Sequence, residues 1–297
     1  MWHDNSMTFR GGIEKPENLA RSGGNGGKIA AGGGIGTLLL VGIFLLMGGN
    51  PSDLGQFLGD TNQPQTSQSS GTLEHCKTTD DANQHADCGV EFTGISVNQM
   101  WAEQLPAQAG LAFKKPQLVV FNNATNTGCG AASAATGPFY CPSDQTAYFD
   151  VSFFDQLSKY GGKNTPFAQE YIVAHEIGHH IQNIEGTLGL SNYNDPGPNS
   201  NAVKIELQAD CYAGVWGHYA DKGENAFLEP ITEAQVNDAI NAARAVGDDN
   251  IQERATGRVN KESFTHGSSQ QRQEAFLAGY RSGKMSSCDF LQRNVYK

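Results

Sequence analysis

Apolar residues form two kinds of run along this chain. Residues 29–49 (IAAGGGIGTLLLVGIFLLMGG) carry no charge at all, whereas from residue 95 onward apolar positions recur at helical or strand spacing between polar ones. With a rise of about 1.5 Å per residue, the first run would just cross a hydrocarbon core of about 30 Å. Its glycines weaken a helix in water but are tolerated in a membrane helix, and no small-residue cleavage site follows it. The pattern predicts one retained transmembrane helix. Arg10, Lys15, Arg21 and Lys28 precede the run and Asp53 and Asp60 follow it. By the positive-inside rule the N-terminus is expected in the cytoplasm and the rest of the chain outside it. The flanks show no hydrophobic periodicity. Residues 1–28 are polar, basic and glycine-rich and are expected to be disordered; residues 50–73, rich in Gln, Ser, Thr and Pro, read as a flexible linker. One globular domain remains, residues 74–297.

Within that domain the pattern is mostly helical. Residues 95–105 have helical spacing closed by Pro106, and residues 152–160 form a short helix ended by Gly161 and Gly162. Thr165 and Pro166 supply an N-cap and a first-turn proline to a long helix reaching residue 184, stopped near Gly186. Further helices are expected over residues 202–220, 233–246 and 268–281. Residues 117–121 (QLVVF) and 146–151 (TAYFDV) read as strands, and residues 192–201 (NYNDPGPNSN) as turn material.

The first long helix contains His175-Glu176-Ile177-Gly178-His179. Positions i and i+4 share a helix face, so both imidazoles reach one point, where two neutral nitrogens hold one Zn²⁺. Glu176 is placed to take a proton from water and pass it to a leaving amine. In a chain with 8 histidines this motif arises by chance about once in a hundred such sequences. A catalytic zinc site needs a third protein ligand. Glu185 stands where metzincins place their third histidine, but Gln182 occupies the position at which that family needs glycine. Glu206 and Asp210 lie one turn apart on the next helix among Ile205, Leu207, Ala209, Cys211 and Ala213. These neighbours turn both carboxylates inward, Glu206 toward the metal and Asp210 toward the far N–H of a ligand histidine. His266 and Arg272 offer positive charge for the carbonyl oxygen of a substrate. His180 and His218 are expected to pack or to face solvent.

Charge and cysteines narrow the class. A net charge of −11 gains nothing from counterion release, which excludes a nucleic-acid partner. None of the six cysteines forms a CxxC pair. In an oxidising compartment they are expected as the disulfides Cys76–Cys88, Cys129–Cys141 and Cys211–Cys288.

HEIGHHIQN, IELQADCYAGVWGHYA, TGRVNKESFTHGSSQQR and TGCG…GPFYCP together resemble the neutral zinc metallopeptidase family of bacterial membrane-anchored proteins, over residues 76–288. More distantly, HExxH followed by ExxxD and a later His and Arg resembles the gluzincin peptidases. The resemblance implies metal roles for His175, His179 and Glu206, a base role for Glu176, and support roles for Asp210, His266 and Arg272; Gly267 stands where those relatives carry proline. It also implies an α+β fold, mainly helical, in which a small antiparallel sheet accompanies the active-site helix and a crossing glutamate-bearing helix. An extended substrate would lie along an edge strand, for which residues 146–151 are the candidate. The resulting expectation is a single-pass protein of the bacterial inner membrane, with one Zn²⁺ in a periplasmic catalytic domain that hydrolyses peptide or protein substrates. Two rivals are a tethered scaffold that retains a zinc site and a zinc amidase acting on cell-wall peptide. Glu176 argues against the scaffold, since a structural site has no use for a base.

Overall fold

Capping residues and apolar runs set the elements, which follow one another as β1 (Ala20–Ser22), α1 (Thr79–Gln84), α2 (Ala86–Ala109), β2 (Gln117–Phe121), β3 (Ala124–Thr127), β4 (Gly130–Ser133), β5 (Phe139–Cys141), β6 (Thr146–Asp150), α3 (Ser152–Gln156), α4 (Pro166–Glu185), α5 (Asn201–Tyr219), α6 (Glu233–Ala245), α7 (Asp248–Thr256) and α8 (Ser269–Ser282). The computed structural model from which they are taken describes residues 7–23, 71–122, 124–133 and 136–297. The architecture is α+β, about half helical, with small sheets.

The main sheet has the order β1-β2-β6-β5, and β3 and β4 form a separate hairpin. β2 pairs in parallel with both β1 and β6, and only β5 runs antiparallel to β6. The expected antiparallel sheet is therefore a mixed one. The chain between β2 and β6 is long enough to hold the hairpin and β5, so it returns to the starting end and allows a parallel crossover. β6 has a partner on each side and every residue of it is buried. Thr146–Asp150 is thus an interior strand and not the edge expected of residues 146–151; a strand covered on both faces reads as apolar throughout.

The N-terminal expectations are overturned. Residues 7–23 are built into the domain. Glu91 of α2 accepts the backbone N–H of Leu19 and Ala20 and pairs with Lys15 Nζ at 2.9 Å. Asn83 exchanges hydrogen bonds with the backbone of Thr8 and Phe9, and the Phe9 ring packs on Phe92. The predicted span, residues 29–49, lies outside the described residues, as does the expected linker up to residue 70; among the described residues no helix is long and apolar enough to cross a membrane. Segments on either side of that stretch are bonded to each other: β1 lies in the sheet, and Ser22 N–H donates to the Gly71 carbonyl at 2.8 Å. A single crossing between them would place these partners on opposite faces of a bilayer. The single-pass arrangement, with a cytoplasmic N-terminus and a catalytic domain on the other side, is therefore incompatible with the structure.

Pro106 does not close α2. It sits in the last turn, and the helix ends at Gly110, whose φ of 69° is the left-handed cap that glycine adopts without strain. α4, α5 and α8 form the core with α2, with Phe167 stacked on Trp216 at 5.9 Å and Trp101 edge-to-face with Tyr212 at 5.1 Å. α5 and α8 touch through their backbones: a Cβ on Gly214 would lie 2.0 Å from the Phe276 carbonyl, and one on Gly279 1.9 Å from that of Cys211.

All three expected disulfides are present, with sequence separations of 12, 12 and 77. They fit an oxidising compartment. Because loop closure restricts the unfolded chain more for longer loops, removing Cys211–Cys288 by double Ser substitution is expected to cost about 4–5 kcal/mol, against about 3 for either short loop. Denaturant unfolding of the three double variants checks this ranking; equal losses would contradict it.

Candidate metal centre

α4 starts on Thr165, whose hydroxyl accepts the Ala168 N–H, and ends at Gly186 with φ 72°. His175 and His179 thus lie one turn apart inside a well-capped helix. Their rings are 4.8 Å apart and nearly perpendicular. α5 starts on Ser200, which accepts the Val203 N–H. It passes α4 closely because Gly178, the fourth residue of the motif, faces Ala209, where a Cβ would stand 3.2 Å from the Ala209 Cα and carbonyl oxygen.

That approach brings Glu206 opposite both imidazoles. His175 Nε2 lies 3.4 Å from Glu206 Oε2, and His179 Nε2 lies 3.7 Å from Oε1. One ligand atom from each of the three residues falls within 4.8 Å of the others, and all three are buried. The opposite ring nitrogens have partners of their own. His175 Nδ1 donates to Asp210 Oδ1 and His179 Nδ1 donates to Gln182 Oε1, each at 2.8 Å. Both Nε2 lone pairs are thereby left for a cation, and two imidazoles with one carboxylate are the donor set of a catalytic zinc ion with an open position. The residues fit zinc.

Asp210 is the hub behind the site. Arg272 grips it with a fork, Nε to Oδ2 at 2.7 Å and Nη2 to Oδ1 at 2.9 Å, and the Tyr171 hydroxyl also donates to it. Burial alone would raise the Asp210 carboxyl, but the Arg272 guanidinium and His175 outweigh it and hold it down at about 2. Arg272 Nη1 donates to the Val246 carbonyl at 3.1 Å. Arg272 thus supports Asp210. Burial raises the Glu176 carboxyl, against the pull of His175 and His179. Burial works the same way on Glu206, where the two histidines prevail and keep it well below the usual carboxylate range. At His175 burial favours the neutral ring, but Asp210 and Glu206 overcome it and favour a proton, which a metal ion would replace.

His266 reaches the Glu206 side of the site from the segment before α8. Asp248, at the start of α7, accepts the backbone N–H of Thr265, His266 and Gly267 at 2.8, 2.7 and 2.9 Å, and its other oxygen lies 3.3 Å from His266 Nδ1. Burial pushes His266 toward neutrality, but the bond to Asp248 and the Glu206 charge raise it. Gly267 has φ 93°, which a proline ring cannot adopt, so the departure from the gluzincin pattern is a change of backbone path. Glu185 is not brought to the histidines; its Oε2 accepts the Tyr212 hydroxyl at 2.9 Å. His180 is buried, and its ring nitrogens bond the Lys114 carbonyl at 2.6 Å and the Tyr140 hydroxyl at 2.9 Å, tying β5 to α4.

Sequence reasoning missed Gln182, Tyr171, Tyr193 and Asp248. Gln182 follows His179 by three residues and Tyr171 precedes His175 by four, so helical spacing alone places them on the ligand face. Tyr193, whose hydroxyl donates to Glu206 Oε1 at 3.3 Å, and Asp248 have no comparable local signal.

The model of the family described as "Putative neutral zinc metallopeptidase" matches residues 9–291. The chain is 47% identical over 223 residues to Uncharacterized protein Rv2575 of Mycobacterium tuberculosis (strain ATCC 25618 / H37Rv), covering 73% of this chain and 74% of that protein. It is 36% identical over 284 residues to Uncharacterized protein YpfJ of Escherichia coli (strain K12), covering 92% of each. No solved structure matches.

Proposed function

The chain belongs to the neutral zinc metallopeptidase family, and from that premise we propose that it is a zinc peptidase of gluzincin type that hydrolyses peptide bonds in peptide or protein substrates. The observation that carries this reading is the convergence of His175 Nε2, His179 Nε2 and Glu206 beside Glu176. His175, His179 and Glu206 would hold one zinc ion, which when bound supplies Lewis acidity toward water and the scissile carbonyl. Glu176 takes a proton from the attacking water and delivers it to the amine nitrogen as the C–N bond breaks; its raised affinity for protons suits that shuttle. His266, held by Asp248 and drawn toward its protonated form by Asp248 and Glu206 against the effect of burial, is the group that would meet the developing oxyanion. Arg272 acts one step back, holding Asp210 and through it His175. A substrate strand would add to β5, which pairs with β6 on one side and is fastened to α4 through Tyr140, His180 and Asn183.

The test is hydrolysis of casein and of muropeptides by the full-length chain. Wild type is expected to cleave casein, and a chelator to stop it. Glu176→Gln should keep its zinc and lose at least about 100-fold in kcat. Undiminished activity in Glu176→Gln would remove the assigned base, and cleavage of muropeptides alone would favour the amidase.

A further inference from the structure

His175 and His179 are oriented by different kinds of partner. Asp210 behind His175 is a charged acceptor, whereas behind His179 stands a neutral amide that can present either its oxygen or its NH₂ group. What sets the direction of that amide can be read outward from the ligand. Gln182 Nε2 donates to the Ile205 carbonyl at 2.7 Å and to Gln208 Oε1 at 3.0 Å. Gln208 Nε2 in turn donates to the Cys288 carbonyl at 3.1 Å and to the Tyr296 hydroxyl at 3.2 Å. Tyr296 and Tyr212 hydroxyls are 2.9 Å apart, and Tyr212 donates to Glu185 Oε2. Gln182 and Gln208 are completely buried.

Two members of this chain have no choice of role. The Ile205 and Cys288 carbonyls can only accept. The Ile205 carbonyl forces the NH₂ group of Gln182 toward itself, and the Cys288 carbonyl forces that of Gln208. Gln208 must then turn its oxygen to Gln182, and Gln182 its oxygen to His179. With an acceptor 2.8 Å from Nδ1, His179 carries its proton there and keeps Nε2 as a lone pair on the metal side. Flipping Gln182 would turn its oxygen onto the Ile205 carbonyl and Gln208 Oε1, and flipping Gln208 would turn its oxygen onto the Cys288 carbonyl, buried oxygen–oxygen contacts that cost roughly 1–3 kcal/mol for each hydrogen bond lost. Cys288 itself is fixed by its disulfide to Cys211, one turn beyond Gln208 on the same helix.

We propose that Gln182 is the positioning residue that makes His179 an Nε2 donor, and that the C-terminal segment, through the Cys288 carbonyl and Gln208, sets its direction. The segment is then part of the metal centre although it contributes no ligand. The inference rests on the zinc reading of the site, but the orientation of His179 is testable without metal or activity.

The experiment has two arms. In the first, the full-length chain is stripped with a chelator and selectively labelled at histidine, and the His179 tautomer is read by ¹⁵N and ¹³C chemical shifts at pH 8. A proton on Nδ1 is expected; a neutral ring protonated on Nε2 alone overturns the proposal, whether or not any variant folds. In the second, zinc affinity is measured by competition with a chromogenic chelator, alongside thermal unfolding of the stripped proteins. Gln182→Leu removes the acceptor and is expected to bind zinc about 10–100-fold more weakly. Gln182→Glu keeps an acceptor for Nδ1–H but sets a carboxylate against the Ile205 carbonyl, so it should lose stability while holding zinc within about threefold of wild type. If Gln182→Glu loses as much affinity as Gln182→Leu, affinity merely follows stability and the positioning role fails. A wild type that binds no zinc would end the peptidase reading and leave the tautomer measurement to decide this one.

Discussion

Purified Glu206→Ala is expected to carry almost no zinc, Asp210→Ala an intermediate amount and Glu185→Ala a full equivalent. Glu206 is within 3.4 and 3.7 Å of the two Nε2 atoms, so removing it leaves two imidazoles and no anionic ligand for a divalent ion. Of the three ligands Asp210 meets only His175, on its far side, and the loss of such an outer partner typically weakens a metal site about 10–100-fold. Glu185 belongs to the Tyr212 and Tyr296 cluster, and its removal should disturb packing and not the metal. Metal analysis after gel filtration reads all three at once. Full zinc in Glu206→Ala together with its loss in Glu185→Ala would mean that the third ligand has been misplaced.

The elements with local signals were legible in the chain. α4 and α5 carry their caps in Thr165, Gly186 and Ser200, and α6 and α8 open on Thr232 and Ser268. The three motif residues sit within little more than one helical turn, and the apolar neighbours of Glu206 and Asp210 announce buried carboxylates, so most of the site is a property of two helices. What escaped depends on contacts across long separations. The N-terminal segment is glycine-rich and polar, but it is held by Asn83, Glu91 and Thr79, between 66 and 76 residues away. No local pattern records that a glutamate on α2 will accept its backbone N–H groups. The first half of α2 is buried nearly all round, by that segment on one side and the core on the other, and so shows no one-sided periodicity. The direction of pairing of five-residue strands is decided by the path between them, and the role of Asp248 arises only when the turn at residues 265–267 folds over the start of α7.

Arg272→Met should destabilise the protein more than any other single change at the site. Asp210 is completely buried, and Arg272 meets both of its oxygens in a planar fork. Methionine fills similar space but leaves the carboxylate to Tyr171 and His175. Breaking a buried pair from one side typically costs about 3–5 kcal/mol, because the remaining charge is stranded. Arg272→Lys should fall between the two, since an ammonium supplies charge but not the fork. The loss must also depend on pH in a definite direction. The folded-state value of Asp210, about 2, lies below its ordinary 3.8. A depressed carboxyl stabilises the fold above the unfolded value and loses that contribution as pH falls toward the folded one. For the wild type this amounts to about 2 kcal/mol, present at pH 5 and above and fading from about pH 4 to pH 2. Without Arg272, burial acts on Asp210 with less opposition, its value rises and that contribution disappears. The deficit of Arg272→Met should therefore be largest near neutrality and shrink as pH is lowered to 3. Urea unfolding with chelator present, so that metal loss does not enter the comparison, measures the deficit at each pH. A deficit under about 1 kcal/mol at pH 7, or one that stays constant down to pH 3, would show that Arg272 is not what keeps Asp210 charged.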